Sequence, residues 1–353
     1  MAHFSQRARG LGIVADGDEP GPYNAITDVP GVTVGHTTVR RPPDVHTGVT
    51  AVVPAGIGPH PGGTPLPAAL FTANGYGKLV GATQVAELGQ LESPVVLTST
   101  LCAFRAADAV VSWMLTRPEH AGVLSFNPVV GECNDGYLSD IRARPVREEH
   151  VLAAIEGAGG GPVAEGCVGA GTGTCALGFK AGIGTASRRV ALEPAGPVRV
   201  GVLTQANFGG TLRICGAPVL PEPSGPPADP GPGEDGSCMV VVATDAALDA
   251  RQLGRLARRA VFALGRVGAS YGHGSGDYGL AFSTSPLSGG ASAAVPDRCL
   301  DPLFGAVLRA TEESVLNALC AAVTTTGRLG RTVPAVPLDR LRELAGRAPS
   351  SGS

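Results

Sequence analysis

Glu234-Asp235-Gly236-Ser237-Cys238-Met239-Val240-Val241-Val242-Ala243-Thr244-Asp245 is the stretch on which the reading of this chain turns. To its left lies GAPVLPEPSGPPADPGPG, residues 216–233. Proline removes backbone donors and fixes φ, and glycine adds chain entropy, so this segment is expected to stay out of sheets and helices as an exposed loop. To its right the composition flips to an apolar, β-branched run with the length of a buried strand. Gly236-Ser237 sits at the border. Most such pairs are turns. A serine that begins a buried strand after a residue without side-chain bulk has a second reading, as a nucleophile that attacks the preceding carbonyl and ends as a new amino terminus.

The rest of the composition limits what surrounds that border. The chain has 353 residues, a formal net charge of -3 and only 16% charged residues, so nothing in it points to nucleic acid. With 52 glycines and 30 prolines it is rich in loops, and with 4% aromatics its core must rest on Val, Leu, Ile and Ala. The first residues show no apolar run followed by a small-residue cleavage site, and no stretch reaches the ~18–20 apolar residues of a membrane span. A cytoplasmic protein is expected. The eight cysteines have no CxxC or Cys/His zinc spacing and read as small buried hydrophobes; Cys238 would face away from Ser237 on a regular strand.

Outward from the border, residues 24–39 and 47–54 read as antiparallel partners, with a surface loop over 57–67 and a turn-prone run at 74–77. Helical patterns cover 81–90, 103–114, 147–156, 249–264 and 303–323, with a short one near 338–345. Strands are expected at 94–100, from 127, over 198–207 and after the YGHGSGD loop at 271–277. No regular βαβ rhythm emerges. The prediction is an α+β fold, an αββα sandwich of two mainly antiparallel or mixed sheets between helix layers. The part after 237 has too few strands for its own core and must complete the sheets of the part before it.

Several polar residues could serve a nucleophile, though each has an ordinary explanation. Asn207, before Phe-Gly-Gly, is a turn asparagine or an oxyanion donor. Ser275 and Asp277 are loop residues or a proton relay. Glu132 and Asp135, read on a turn after a strand, are solvated acids or a clamp for a substrate ammonium. His273 suggests a Ser/His/Asp triad, but its place in a glycine-rich loop argues against one. In GAGTGT, residues 169–174, Thr174 stands where a dinucleotide-binding loop needs its third glycine, so close backbone packing is expected instead.

Together these segments resemble the P1 or S58 family of self-processing aminopeptidases, which includes L-aminopeptidase/D-amidase-esterases and β-aminopeptidases. The stretches that carry the resemblance are RARGLGI (7–13), NAITDVPGVTVGHTT (24–38), TGVTAVVP (47–54), NPVVGECNDGYLSD (127–140) and EGCVGAGTGTCALGFKAGIGTASR (165–188). They continue with VGVLTQANFG (200–209), DGSCMVVVATDAALDARQLGRLARRA (235–260), GHGSGDYGLAFST (272–284) and VLNALCAAVTTTG (315–327). The resemblance implies the αββα fold shared with ornithine acetyltransferase and a logic similar to the Ntn hydrolases. It implies one domain cut between Gly236 and Ser237 into chains 1–236 and 237–353. It makes Ser237 the nucleophile, Asn207 the oxyanion donor, Ser275 with Asp277 the relay, and Glu132 the grip on the substrate's amino group.

Two positions depart from the pattern. Asp277 stands where some members carry Glu, a shorter arm that could require a bridging water or a backbone shift, and Asn134 stands where a tyrosine lies near the substrate in some relatives. The implied activity is hydrolysis of N-terminal residues from short peptides, amino-acid amides or esters, without metal or organic cofactor. A homo-oligomer, a tetramer of αβ protomers, is the implied assembly. Acyl transfer, a specialised amidohydrolase and a non-cleaving scaffold are the competing readings. The acetyltransferase branch uses Thr as its nucleophile, whereas this chain has Ser237. Either the freed α-amine of Ser237 or the Ser275/Asp277 pair could serve as the base.

Overall fold

The computed structural model describes residues 7–14, 19–60, 62–193, 196–222, 236–285 and 295–347. Glu234, Asp235 and residues 223–233 of the loop therefore lie outside the described residues. Strands β1 (Val32–Arg41), β2 (Val45–Pro54), β3 (Leu66–Gly75), β4 (Gln90–Leu91), β5 (Val95–Ser99) and β6 (Val129–Cys133) come first. After a short hairpin, β7 (Cys175–Ala176) with β8 (Phe179–Lys180), come β9 (Ile183–Leu192), β10 (Gly196–Asn207), a second hairpin of β11 (Leu212–Ile214) and β12 (Ala217–Val219), β13 (Ser237–Thr244) and β14 (Gly276–Ser283).

One sheet has the order β1-β2-β5-β6 and the other β4-β3-β14-β13-β10-β9. Most pairs are antiparallel, but β5 with β6 and β13 with β14 run parallel, so both sheets are mixed. Helices α2 (Ala103–Leu115) and α3 (Glu148–Glu156) cover the first sheet; α4 (Ala250–Val267) and α5 (Asp301–Cys320) cover the second. Between α1 (Ala82–Leu88) on a sheet edge and the C-terminal α6 (Leu338–Arg347) these form the expected sandwich.

The alternation along β13 shows why this strand is central. Cys238, Val240 and Val242 belong to the core under α4 and α5, whereas Met239, Val241 and Ala243 belong to the core between the sheets. Val240 to Val242 are fully buried, each contributing about 1.5–3 kcal/mol of burial. Cys238 thus packs on the helix side, as its parity requires. Helix α4 starts at a capping box, in which Asp249 accepts the Gln252 N–H at 2.7 Å and the Gln252 side chain accepts the Asp249 N–H at 3.2 Å.

Several boundaries differ from the sequence reading. β1 begins at Val32 because Asp28 draws residues 23–28 into a turn, accepting the N–H groups of Tyr23 and Ala25 at 3.0 Å. Residues 66–75 form β3, although the sequence reads as loop up to 67 and as a turn-prone run from 74, and β9 has no counterpart in the sequence reading. Pro67, paired alanines and Asn74-Gly75 dilute the β signal of the first; a buried Arg188–Glu313 ion pair of 2.7 Å gives the second a polar look. Part of the proline-rich stretch also joins a sheet: Cys215 and Gly216, at φ +50° and +81°, make a two-residue turn between β11 and β12. Pro218 faces Arg213 next to the hydrogen-bonded closing pair, a position where the ladder asks for no donor.

Candidate active site

Ser237 opens β13, between two neighbours that each supply a polar group. On one side Asn207, the last residue of β10, stands across the ladder from it. On the other side Gly276, the first residue of β14, is its parallel partner, with Ser275 before it and Asp277 after it. The three regions that the sequence separates by 30 to 40 residues therefore meet because β10, β13 and β14 are adjacent. Gly236 fits here only as glycine: a Cβ on it would come within 2.1 Å of the Asn207 carbonyl oxygen. Its own carbonyl oxygen accepts the Gly276 N–H at 3.1 Å, so a backbone donor already polarises the bond before Ser237.

Asn207 is half of a second fixed contact. Its Oδ1 accepts the Cys175 N–H at 3.0 Å, which turns the NH2 end of the amide the other way, free to donate. The loop presenting Cys175 is the GAGTGT run, and its glycines serve close packing: Cβ atoms at Gly171 and Gly173 would come within 2.3 Å of the Ile183 nitrogen and 2.1 Å of the His46 carbonyl oxygen. Lys180, fully buried, ties the same loop together by donating to the carbonyls of Gly171, Thr174 and Ala181 at 3.2, 2.8 and 2.7 Å.

Ser275 donates to Asp277 Oδ1 at 2.8 Å, and Asn74 donates to Oδ2 at 3.0 Å. The shorter acid thus reaches the serine directly, with no bridging water needed. Burial raises the Asp277 carboxyl above its ordinary range, while the bonds from Asn74 and Ser275 hold it down. His273 lines the cavity beside Ser237, but both Asp277 oxygens are engaged elsewhere, so no Ser/His/Asp chain forms through it.

In front of Ser237 lies a cavity of about 400 Å³ lined by Tyr76, Gly77, Lys78, Thr100, Glu132, Asn134 and the Gly236–Ser237 and His273–Gly274 pairs. Glu132 lies within β6, not on the turn expected for it, and is 1% exposed. Its Oε1 accepts the Lys78 N–H at 2.8 Å, with the Lys78 ammonium 3.7 Å away, while Oε2 has no partner among the described residues. Burial raises its pKa against the pull of Lys78. Asn134 faces the same cavity and accepts the Gly136 N–H at 2.9 Å.

Asp135, read together with Glu132 as a clamp, is buried and accepts from Ser99 at 2.9 Å without lining the cavity. The adjacent Thr47 hydroxyl, like that of Ser99, favours the charged form of Asp135. Burial pushes its pKa from 3.8 to about 6. Between those values only the folded state keeps the proton, so stability falls as pH rises toward 6 and is level above it. Asp135→Asn keeps the oxygen for Ser99 and never ionises. Its stability relative to the parent should improve by about 1–3 kcal/mol between pH 4 and pH 8. Denaturant melts at the two pH values read this; an equal difference at both would contradict it.

Six residues of the site have no site reading in the sequence: Asn74, Tyr76, Gly77, Lys78, Thr100 and Cys133. The Cys133 thiol donates to the Ser237 carbonyl oxygen at 3.1 Å across the two sheets. Tyr278 holds the Gly77 carbonyl at 2.8 Å, so the Asn74–Lys78 run is built into the site from both ends. The glycines in Asn74-Gly75-Tyr76-Gly77-Lys78 were the available signal: a Cβ on Gly77 would sit 3.2 Å from Glu132 Oε1.

Comparison with known proteins places this geometry among relatives. The profile of peptidase family S58 matches residues 24–333. The chain is 42% identical to the beta-peptidyl aminopeptidase of Sphingosinicella microcystinivorans, covering 96% of this chain and 91% of the relative. A Burkholderia sp. beta-aminopeptidase superposes with a TM-score of 0.85 at 36% identity, over 98% of this chain and 100% of the other. The L-aminopeptidase D-Ala-esterase/amidase of Ochrobactrum anthropi, a prototype of the serine aminopeptidases and a variant of the Ntn hydrolase fold, gives 0.83 at 37% identity, over 96% and 98%.

Proposed function

Because this chain belongs to peptidase family S58, we propose that it is a serine aminopeptidase and amidase that activates itself by cutting between Gly236 and Ser237. The observation that carries the reading is the convergence on Ser237: Asn207 across one ladder, Gly276 across the other, and Glu132, buried in the wall of the cavity before it with one oxygen unpartnered among the described residues. In the first reaction Ser237 Oγ attacks the Gly236 carbonyl carbon and the C–N bond breaks. The serine nitrogen leaves as an amine carrying the proton, and water hydrolyses the resulting ester. The products are chains 1–236 and 237–353.

The same hydroxyl then attacks the first acyl carbon of a short peptide, amino-acid amide or ester. Asn207 and backbone N–H groups such as that of Gly276 stabilise the oxyanion. The hydroxyl proton passes to the leaving amine by way of the freed Ser237 amine or the Ser275/Asp277 pair, and water releases the acyl group. Glu132 Oε2 receives the substrate ammonium, and Asn134 borders the residue that follows. No helix of the described residues is long and apolar enough to cross a membrane. Eight free cysteines fit a cytoplasmic location. We place the protein there as a homo-oligomer, a tetramer of cut protomers.

Intact mass under denaturing conditions, with turnover of aminoacyl anilides, tests the proposal; an uncut chain that hydrolyses none of them sinks it. Glu132 has its own test. Glu132→Gln keeps an acceptor for the Lys78 N–H but removes the charge, so it should mature normally. A charge-assisted bond of about 1.5–3 kcal/mol would disappear, lowering kcat/KM on free-amine substrates about 10- to 100-fold. Wild-type protein that cleaves acetylated and free anilides equally well would remove that role.

A further inference from the structure

Glu132 and Lys78 are the carboxylate and the ammonium that line the cavity, and they stand side by side. The lysine pairs with the acid without being saturated by it. Its Nζ is 3.7 Å from Glu132 Oε1, too far for a hydrogen bond, and its one hydrogen bond is to Thr100 Oγ1 at 2.9 Å. An ammonium has three donors, so two are without hydrogen-bond partners among the described residues. The side chain is 35% exposed beside the Tyr76 ring, 5.8 Å from its centroid. The acid is the reverse case, closed to solvent with one oxygen free.

From this pairing we infer that the cavity accepts an N-terminal residue bearing a free carboxylate beside its ammonium: an aspartyl residue, linked onward through its α- or its β-carboxyl group. This rests on the aminopeptidase reading and narrows its substrate class. The ammonium of such a residue goes to Glu132 Oε2 and its carboxylate to the Lys78 ammonium. The two substrate charges are one to two carbons apart, as compact as the protein pair that would receive them. The other carboxyl-derived group, the acyl carbon, is left for Ser237 in the same cavity. A neutral side chain leaves the lysine with only the loosely paired Glu132 as counter-charge, and a cationic one meets like charge.

The test compares substrates of one shape that differ in charge. Anilides of aspartate and asparagine in α-linkage, and the β-anilides of aspartate and of its α-amide, are assayed with the two-chain protein. The acid of each pair should exceed the amide about 10- to 100-fold in kcat/KM. Lys78→Met should bring each ratio to near one, and Lys78→Arg should preserve it. Should Lys78→Met fail to mature, the wild-type ratios alone decide the matter. Amides equal to or better than acids would overturn the inference while leaving the hydrolase intact. So would a Lys78→Met variant in which acid and amide move together, or one that gains on alanyl anilide while the ratio stays flat, since the lysine would then be a stand-in for the substrate ammonium. Turnover of none of these anilides by two-chain protein that cleaves other aminoacyl anilides would overturn this inference and leave the hydrolase reading standing; turnover of no aminoacyl anilide of any kind would overturn both.

Discussion

Ser237→Ala is expected to give a single chain of 353 residues that stays uncut on prolonged incubation and has no activity above background. Nothing else at this point of the fold can replace the hydroxyl. The neighbouring thiol of Cys238 belongs to the core under α4 and α5, on the other face of β13, and burial pushes its pKa well up, away from the thiolate a nucleophile needs. Gly236 already has its carbonyl oxygen on the Gly276 N–H, so the electrophile is prepared and only the attacking atom is lost. The substitution should leave the fold alone. Ser237 is 5% exposed, and losing one small hydroxyl there disturbs neither the ladder to Asn207 nor that to Gly276. A variant melting with the wild type but showing one mass separates chemistry from folding. Two masses from Ser237→Ala, split between 236 and 237, would take Ser237 out of the mechanism.

What could be seen in the sequence follows from how local each signal is. The abrupt change from Pro/Gly to Val-Val-Val at 237 is local, so β13 and its first serine were legible. So were the capped helices and the valine-rich partners β1 and β2. Asn207 and Ser275/Asp277 were visible as strand ends, but their meeting at Ser237 depends on pairings across 30 to 40 residues that no local pattern encodes. Glu132 looked like a turn acid because it stands next to Cys-Asn-Asp-Gly, yet the strand continues through it and burial follows. Losing β3 had the widest effect. Asn74 is presented by the end of that strand and Tyr76, Gly77 and Lys78 by the turn after it, so this wall of the cavity goes unread with the strand. Its register against β14 is fixed by tertiary packing and not by propensity.

Asn207→Ala is expected to lower kcat about 10²- to 10³-fold with KM nearly unchanged, because an oxyanion donor acts on charge that exists only in the transition state. The same donor serves both reactions in the proposed scheme, so self-cleavage should slow as well and preparations should contain cut and uncut chains together. Asn207→Asp sharpens the test. It keeps an oxygen for the Cys175 N–H, and so keeps the loop that Lys180 ties together, but replaces the outward NH2 with an acceptor. If Asn207 only shaped the loop, Asp would be close to wild type and Ala would be worse. If it donates to the oxyanion, Asp should be worse than Ala, since a carboxylate oxygen would then face the developing negative charge. Single-turnover rates on purified two-chain protein, with the mass distribution of each preparation, distinguish these orders. Both variants within threefold of the parent would leave the oxyanion to the backbone donors alone.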